Sequence, residues 1–255
     1  MVSSGVWSGS IPLQTAYDST EVGGGATTQK SELQRIGYLG SLEASWEANP
    51  IGAHFELHIE QGPILEASEG KIGVVEGAQA YKWFMITVKG GDCHTGTTDF
   101  KNRSDALLTA AKLILHSHNK ATEMGCLAST GILTLKPGST NTVPGNVSFS
   151  LDIRSKVDEK VRELEEVLRR DFKEIASGGD VGGLNALGTK GRGCGVEWRL
   201  DSDTKATRFH EDCIACVEDS AGAMLGVNDG IKAQRMTSGA GHDSVYVSRR
   251  SPTSM

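Results

Sequence analysis

Between residues 81 and 200, two helix-like stretches alternate with strand-like ones, and this order constrains the fold more than any other feature of the chain. Residues 81–89 (YKWFMITVK) and 146–154 (NVSFSLDIR) carry the alternating, aromatic and β-branched pattern of strands. A helix is expected over 102–124, with Ala106, Leu107, Ala110, Ala111 and Ile114 at three- and four-residue spacing. A second is expected over 158–175, with Val161, Leu164, Val167, Leu168 and Phe172 turned inward. Residues 127–135 and 196–200 supply two more strands. The order is β-α-β-β-α-β, the split-βαβ or ferredoxin-like motif. It predicts an α+β domain over about 79–204, inserted into a second, α/β unit made of residues 1–78 and 205–255.

The flanking segments are less regular. Residues 1–50 are polar and glycine-rich, with one helical patch near 29–48. Residues 53–60 (AHFELHIE) alternate, so a strand is expected with Phe55, Leu57 and Ile59 on one face and His54, Glu56, His58 and Glu60 on the other. Gln61-Gly62-Pro63 ends it. A helix is expected over 208–226, a glycine-rich loop over 238–244, and no closing element after it. Both ends read as cut, which predicts exposed apolar surface near His58 and poor solubility.

Composition narrows the function. With 26 Lys and Arg against 32 Asp and Glu, the net charge is −6. This argues against nucleic acid or an anionic membrane as partner, because both select clustered positive charge. No apolar run approaches a membrane span, and the first residues lack a secretory pattern. Five scattered cysteines disfavour a disulfide framework and point to a reducing, cytoplasmic compartment. Cys213 and Cys216 form a lone C-x-x-C in a helical context, which reads as buried thiols; a structural zinc site is the minor alternative.

Several residues are candidates for chemistry. His58 stands at a strand end before a tight turn, where an imidazole suits a zinc ion, although a lone histidine is more often structural and no partner ligands are obvious. His94, in GGDCHTG (90–96), is placed to polarise a carbonyl or to be a solvated turn residue. Arg154 suits a bidentate grip on a carboxylate, with an ion pair to Asp152 as the alternative. Asn141 offers a side-chain amide or a plain turn. Gly241 and His242 lie in SGAGHDS (238–244). Residues 91–98 and 183–190 resemble phosphate loops superficially but lack the required glycine-lysine order, and no G-x-S-x-G elbow is present.

Taken in order, FELHIEQGPILE (55–66), IGVVEG (72–77), GDCHTGTT with NRSDALLTAA (91–111), NTVPGNVSFSLDIR (141–154) and SGAGHDS (238–244) resemble one family. It is the branch of the dinuclear-zinc aminoacylase and carboxypeptidase-like hydrolases that holds N-carbamoyl-L-amino-acid hydrolase, β-ureidopropionase and allantoate amidohydrolase. GAHFELHIEQGPILE and HTGTTDF look most like β-ureidopropionase. The resemblance implies a zinc-exopeptidase-like α/β catalytic domain, here incomplete, with an inserted ferredoxin-like lid that makes a homodimer. It implies two zinc ions per site, with Mn, Co or Ni as substitutes, and a small ureido-acid substrate. His58 matches a metal ligand and Gln61 a substrate contact. His94 (a catalytic role), Asn141 and Arg154 match lid residues that reach the partner subunit's site, with Arg154 on the substrate carboxylate. Gly241 and His242 match a substrate-binding loop.

The chain also departs from the pattern. The family's upstream H-x-D pair and adjacent Glu-Glu have no counterpart before His58. The one adjacent Glu-Glu is Glu165-Glu166, which reads as a solvated helix face. Without a general base, water attack is not supported. These 255 residues alone are therefore expected to be inactive. The alternative is a non-catalytic dimerisation or interaction module that retains the lid.

Overall fold

The structure is a computed structural model that describes residues 1–21, 23–185, 191–225 and 233–255. The end of the 183–190 stretch, from 186 on, lies outside the described residues. The chain divides into two compact units, Gln79–Ala206 and the combination of Met1–Ala78 with Thr207–Met255.

In the Gln79–Ala206 unit the long strand Ala80–Lys89 lies between Asn146–Ser155 and Gly195–Thr204, antiparallel to both. Asn146–Ser155 also pairs antiparallel with two short strands, Leu127–Ser129 and Leu133–Lys136. This is the strand order of the expected split-βαβ motif. The single strand expected over 127–135 is broken in two, because Gly131 and Ile132 turn aside and donate their backbone N–H groups to the Ser150 hydroxyl. The last strand runs four residues past the expected 200, with a register shift opposite Trp83 and Phe84.

Helices Ala106–Glu123 and Asp158–Ala176 cover one face of the sheet. The first starts at Ala106 because Asp105 accepts a hydrogen bond from the Leu108 N–H. Ala111, expected inside, is exposed, and Leu113 takes its place in the core. Phe84, Ile86, Phe149, Leu151, Leu164, Leu168 and Phe172 form the centre of that core. His116 and Asp171, both buried, join the two helices at 2.8 Å.

Glu165 departs from the expected solvated face. Its carboxylate is largely covered and takes Lys82 Nζ at 2.8 Å and Arg169 Nε at 2.8 Å, whereas Glu166 is exposed. Burial alone would raise the Glu165 carboxyl, but hydrogen bonds from Lys82 and Arg169 outweigh it and hold it below the usual range. Burial would lower the Lys82 ammonium, and Glu165 and Asp203 outweigh that to raise it. Each shift stabilises the fold where both groups are charged. The depressed carboxyl contributes fully above its unfolded value of 4.5 and loses its contribution as the pH falls through the folded value. The raised ammonium contributes below 10.5 and is lost above it. A urea midpoint that is flat between these limits and falls on both sides is expected. Glu165→Gln should blunt the acid limb; an unchanged acid limb in that variant would contradict the pairing.

The other unit holds two small sheets. Gly73–Ala78 pairs parallel with Gln234–Ser238 and antiparallel with Thr207–Arg208, and the helix Glu211–Leu225 packs beside it. Val74, Phe209, Ile214 and Met255 make its core. Cys213 is buried in that helix and Cys216 is exposed. The patch expected over 29–48 is helical only at Gln29–Arg35, capped by Thr28 and ended where Gly37 takes a φ of 73°.

The strand expected over 53–60 shrinks to His54–Phe55, paired parallel with Thr253–Ser254. This pairing supplies a closing element after residue 244 that the sequence pattern did not suggest. Beyond Phe55 no neighbouring strand holds the segment, and Phe55, Leu57 and Ile59 are exposed at 51%, 102% and 75%. The loop expected at 238–244 contains the end of one strand and the start of the helix Asp243–Val247. Among the described residues no helix is long and apolar enough to cross a membrane.

Candidate metal centre and substrate-binding groups

Alternation at 54–58 leaves His54, Glu56 and His58 on one side even though the ladder is only two residues long. The segment 238–244 brings His242 to the same place. The rings of His58 and His242 meet edge to face with centroids 4.6 Å apart. Glu56 Oε1 lies 3.9 Å from His242 Nδ1. One ligand atom from each of Glu56, His58 and His242 falls within 4.8 Å of the others. The three line a cavity of about 330 Å³, whose walls include Phe55, Leu57, Ile59, Val75 and Met236. Beside His58 the fold thus brings two groups that could share a metal ion, which its sequence context did not reveal.

Hydrogen bonds define which atoms face inward. His58 Nδ1 lies 2.6 Å from the Ile59 carbonyl. A carbonyl only accepts, so Nδ1 carries the proton and Nε2 the lone pair. Glu56 Oε2 accepts both the backbone N–H of Ser244 at 3.0 Å and its hydroxyl at 2.6 Å. Burial would raise the Glu56 carboxyl, but these two bonds and the charge of His242 outweigh it and hold it low. His242 is 6% exposed. Burial pushes its imidazole down against the pull of Glu56, with His58 adding to the fall, so it is neutral and able to ligate at pH 7. Two imidazoles and a carboxylate are a zinc-type donor set, which fits the metal implied by the sequence. His58, exposed, is the side chain with room to move.

Next to this cluster, Gln61 adopts a φ of 54°, a left-handed conformation unusual for a residue with a Cβ. Glu60 fixes the turn by accepting the Ile64 and Leu65 N–H groups at 2.7 and 2.9 Å. Gly241 is half-buried in the loop before His242.

His94, Asn141 and Arg154 lie in the Gln79–Ala206 unit. The two-residue strands Cys93–His94 and Thr142–Val143 pair with His94 opposite Thr142, and the Thr95 N–H donates to the Asn141 carbonyl at 2.9 Å. His94 and Asn141 are thereby neighbours. Gly145 lets the two loops touch: a Cβ there would lie 2.7 Å from Asp92 N and Oδ1. The Gly96 N–H donates to His94 Nδ1 at 3.1 Å, which leaves Nε2–H as the imidazole donor. Asn141 Oδ1 accepts the Ser139 hydroxyl at 2.9 Å, so its NH₂ group points elsewhere. An imidazole N–H and a side-chain amide on two paired loops suit a carbonyl oxygen that gains negative charge. Arg154 grips Asp152 through Nε at 3.0 Å and Nη2 at 2.6 Å, with its guanidinium 5.3 Å from the Tyr81 ring centre. The ion pair offered as its alternative is therefore present.

Glu56, Ser244, Ser238 and His54 were not singled out from the sequence. The two-residue spacing of Glu56 and His58 was a usable signal, because it places both on one face. The serines gave none. Among the described residues the group placed to hold a metal contains no cysteine.

A two-unit chain with a ferredoxin-like unit inserted in an α/β unit has a peptidase-like fold. Residues 77–180 match the peptidase dimerisation domain. N-carbamoyl-L-amino-acid amidohydrolase of Rhizobium meliloti is 32% identical, covering 100% of this chain and 56% of the relative. Allantoate amidohydrolase of Escherichia coli is 28% identical, covering 80% and 46%. The crystal structure of an amidase of the hydantoinase/carbamoylase family from Burkholderia multivorans is 33% identical, covers 100% and 57%, and superposes with a TM-score of 0.80. The chain spans about half the length of these relatives. Its relatives are amidohydrolases of N-carbamoyl-L-amino-acid and allantoate type, and it carries the peptidase dimerisation domain.

Proposed function

We propose that the chain serves a metal-dependent hydrolase of C–N bonds in linear amides, acting on N-carbamoyl amino acids of the N-carbamoyl-β-alanine kind. The observation that carries this reading is the convergence of Glu56, His58 and His242 on one apolar-walled cavity. His58 would hold the ion, zinc by the resemblance, with Glu56 offering a ligand atom beside it; His242, whose ring also borders the ion's place, would contact the substrate. A bound zinc supplies a Lewis acid and an activated water. Two ions per site is the family expectation, and these side chains account for one. His94 Nε2–H and the Asn141 amide donate to the ureido oxygen, which gains charge as water adds. Arg154 binds the substrate carboxylate, which takes over the place of Asp152 on the guanidinium. Gln61 and Gly241, neighbours in sequence of His58 and His242, would add contacts to the substrate. His94, Asn141 and Arg154 act on the site of a partner subunit in a homodimer, a reading supported by the dimerisation-domain match. The unpaired thiols support a cytoplasmic setting.

A base for the attacking water is missing from this set. Glu165, in the one adjacent Glu-Glu of the sequence, is tied to Lys82 and Arg169. The 255 residues alone are therefore proposed to bind metal and ureido acid without turnover. The test is to give the purified chain zinc and N-carbamoyl-β-alanine, following binding by calorimetry and release of ammonia and β-alanine over time. Binding without release is expected. Release at an ordinary enzymatic rate would overturn the inactivity, and absence of both binding events would overturn the hydrolase reading. The same match supports a second reading as a dimerisation module. Light scattering that finds only monomer would count against it and against the homodimer.

A further inference from the structure

Resting on the reading that His94 donates to the ureido oxygen, we infer that Arg103 is a positioning residue that fixes the direction and tautomer of the His94 imidazole through one peptide plane. Arg103 Nη2 donates to the Thr95 carbonyl at 2.6 Å, and its Nε donates to the Thr98 carbonyl at 2.9 Å. The planar fork thus spans the turn that follows His94, with its guanidinium carbon 4.7 Å from the Phe100 ring centre. The Thr95 carbonyl and the Gly96 N–H belong to the same peptide unit. That unit is trans, so the two groups point in opposite directions. Arg103 holds the oxygen on one side, and on the other the Gly96 N–H meets His94 Nδ1 at 3.1 Å. The line runs from Arg103 Nη2–H through Thr95 C=O and Gly96 N–H to His94 Nδ1, and it leaves Nε2–H as the proton to donate.

The fork is mounted on a fixed base. Arg103 lies just before Asp105, which caps the helix Ala106–Glu123. Its own carbonyl accepts the Arg192 N–H at 2.8 Å, and the Ser104 carbonyl accepts the Gly91 N–H at 2.9 Å. The loop that carries His94 is therefore tied to Ser104 at its start and to Asn141 at the Thr95 N–H. Its far side, 95–98, is tied by the Arg103 side chain. His94, Thr95 and Gly96 are all exposed, so packing does not set the direction of the ring and hydrogen bonds must. A cationic donor on a carbonyl also polarises the peptide and strengthens its N–H, the sense that favours an unprotonated Nδ1. A lysine would bring the charge without the fork and serve one carbonyl instead of two.

The test is a double-mutant cycle in the 255-residue chain, with Arg103→Gln, His94→Gln and both together. Binding of N-carbamoyl-β-alanine in the presence of zinc is followed by calorimetry. Arg103→Gln is expected to weaken binding about three- to tenfold where His94 is present and to have no further effect in His94→Gln, because it acts through that ring. Equal losses with and without His94 overturn the positioning role, since a merely structural change in the lid would persist in both. A readout that needs no substrate is proton–nitrogen NMR of the imidazoles at alkaline pH, with the His94 signals identified by their absence from His94→Gln. His94 should be a single Nε2–H tautomer in the unaltered chain and a mixture in Arg103→Gln; identical signals in the two overturn the positioning role. Arg103→Lys, expected to shift the same signals in the same direction, decides the matter if Arg103→Gln does not fold. If the unaltered chain leaves N-carbamoyl-β-alanine unbound, the substrate reading of His94 falls, and the imidazole signals alone decide what Arg103 does.

Discussion

Phe172→Ala is expected to cost the Gln79–Ala206 unit about 3–5 kcal/mol, because it removes a large side chain from a site with no room to collapse. Phe172 is 0% exposed. Its ring lies 5.2 Å from Trp198 and 6.4 Å from Phe149, so it joins the second helix to two strands that are not neighbours in the sheet. Whole-chain fluorescence would mix the two units, since Trp7 and Trp46 lie in the other. Hydrogen exchange read by peptide isolates the effect. Peptides from 80–89, 146–155 and 158–176 should lose protection together, while those from 73–78 and 211–225 keep theirs. A loss below about 1 kcal/mol, or one spread evenly over both units, would mean that Phe172 is not the keystone of this core.

The second large effect is at the proposed metal centre. His58→Ala should abolish measurable zinc binding, a greater loss than the 10–100-fold of an orienting partner, because two ligands remain where about three are needed. His58 is exposed and belongs to neither hydrophobic core, its one ring contact being with His242, so the fold should be little changed. A ligand that binds only the folded chain at 100 times its dissociation constant stabilises it by about 2.7 kcal/mol. Zinc should therefore raise the melting temperature of the unaltered chain and leave that of His58→Ala unmoved. A variant that still binds zinc within a few-fold of the original would remove His58 from the ligand set.

Legibility followed the range of the interactions. The helices at 106–123 and 158–176 and the long strands at 80–89 and 146–155 were readable because their periodicity is local and repeated. Two misreadings have tertiary causes. The segment 53–60 alternates perfectly, yet alternation makes a strand only where a neighbour supplies hydrogen bonds, and here that is true of two residues. Glu165 looked solvated because Lys82 is eighty-three residues away in sequence and invisible to any window along the helix. The candidate site divides the same way. His58, His94, Asn141, Arg154 and His242 stood out by residue type and by the motifs around them. Ser244, which donates its hydroxyl to Glu56, lies in a glycine-rich loop where a serine carries no pattern that distinguishes it. Glu56 lay between: its spacing from His58 was visible, and its use depended on where residues 238–244 return.

The pairing of His54–Phe55 with Thr253–Ser254 joins segments about 200 residues apart, and the entropy of closing so long a loop must be met before the pair forms. The Gln79–Ala206 unit closes shorter loops, its farthest pairing being Tyr81 with Thr204, and all of its strands and helices come from one continuous stretch of chain. On a ribosome the inserted unit can therefore mature while the segment bearing Glu56 and His58 is still waiting, and the cluster comes together only after residues 238–254 have emerged. The nascent chain would acquire its metal only after the inserted unit has folded.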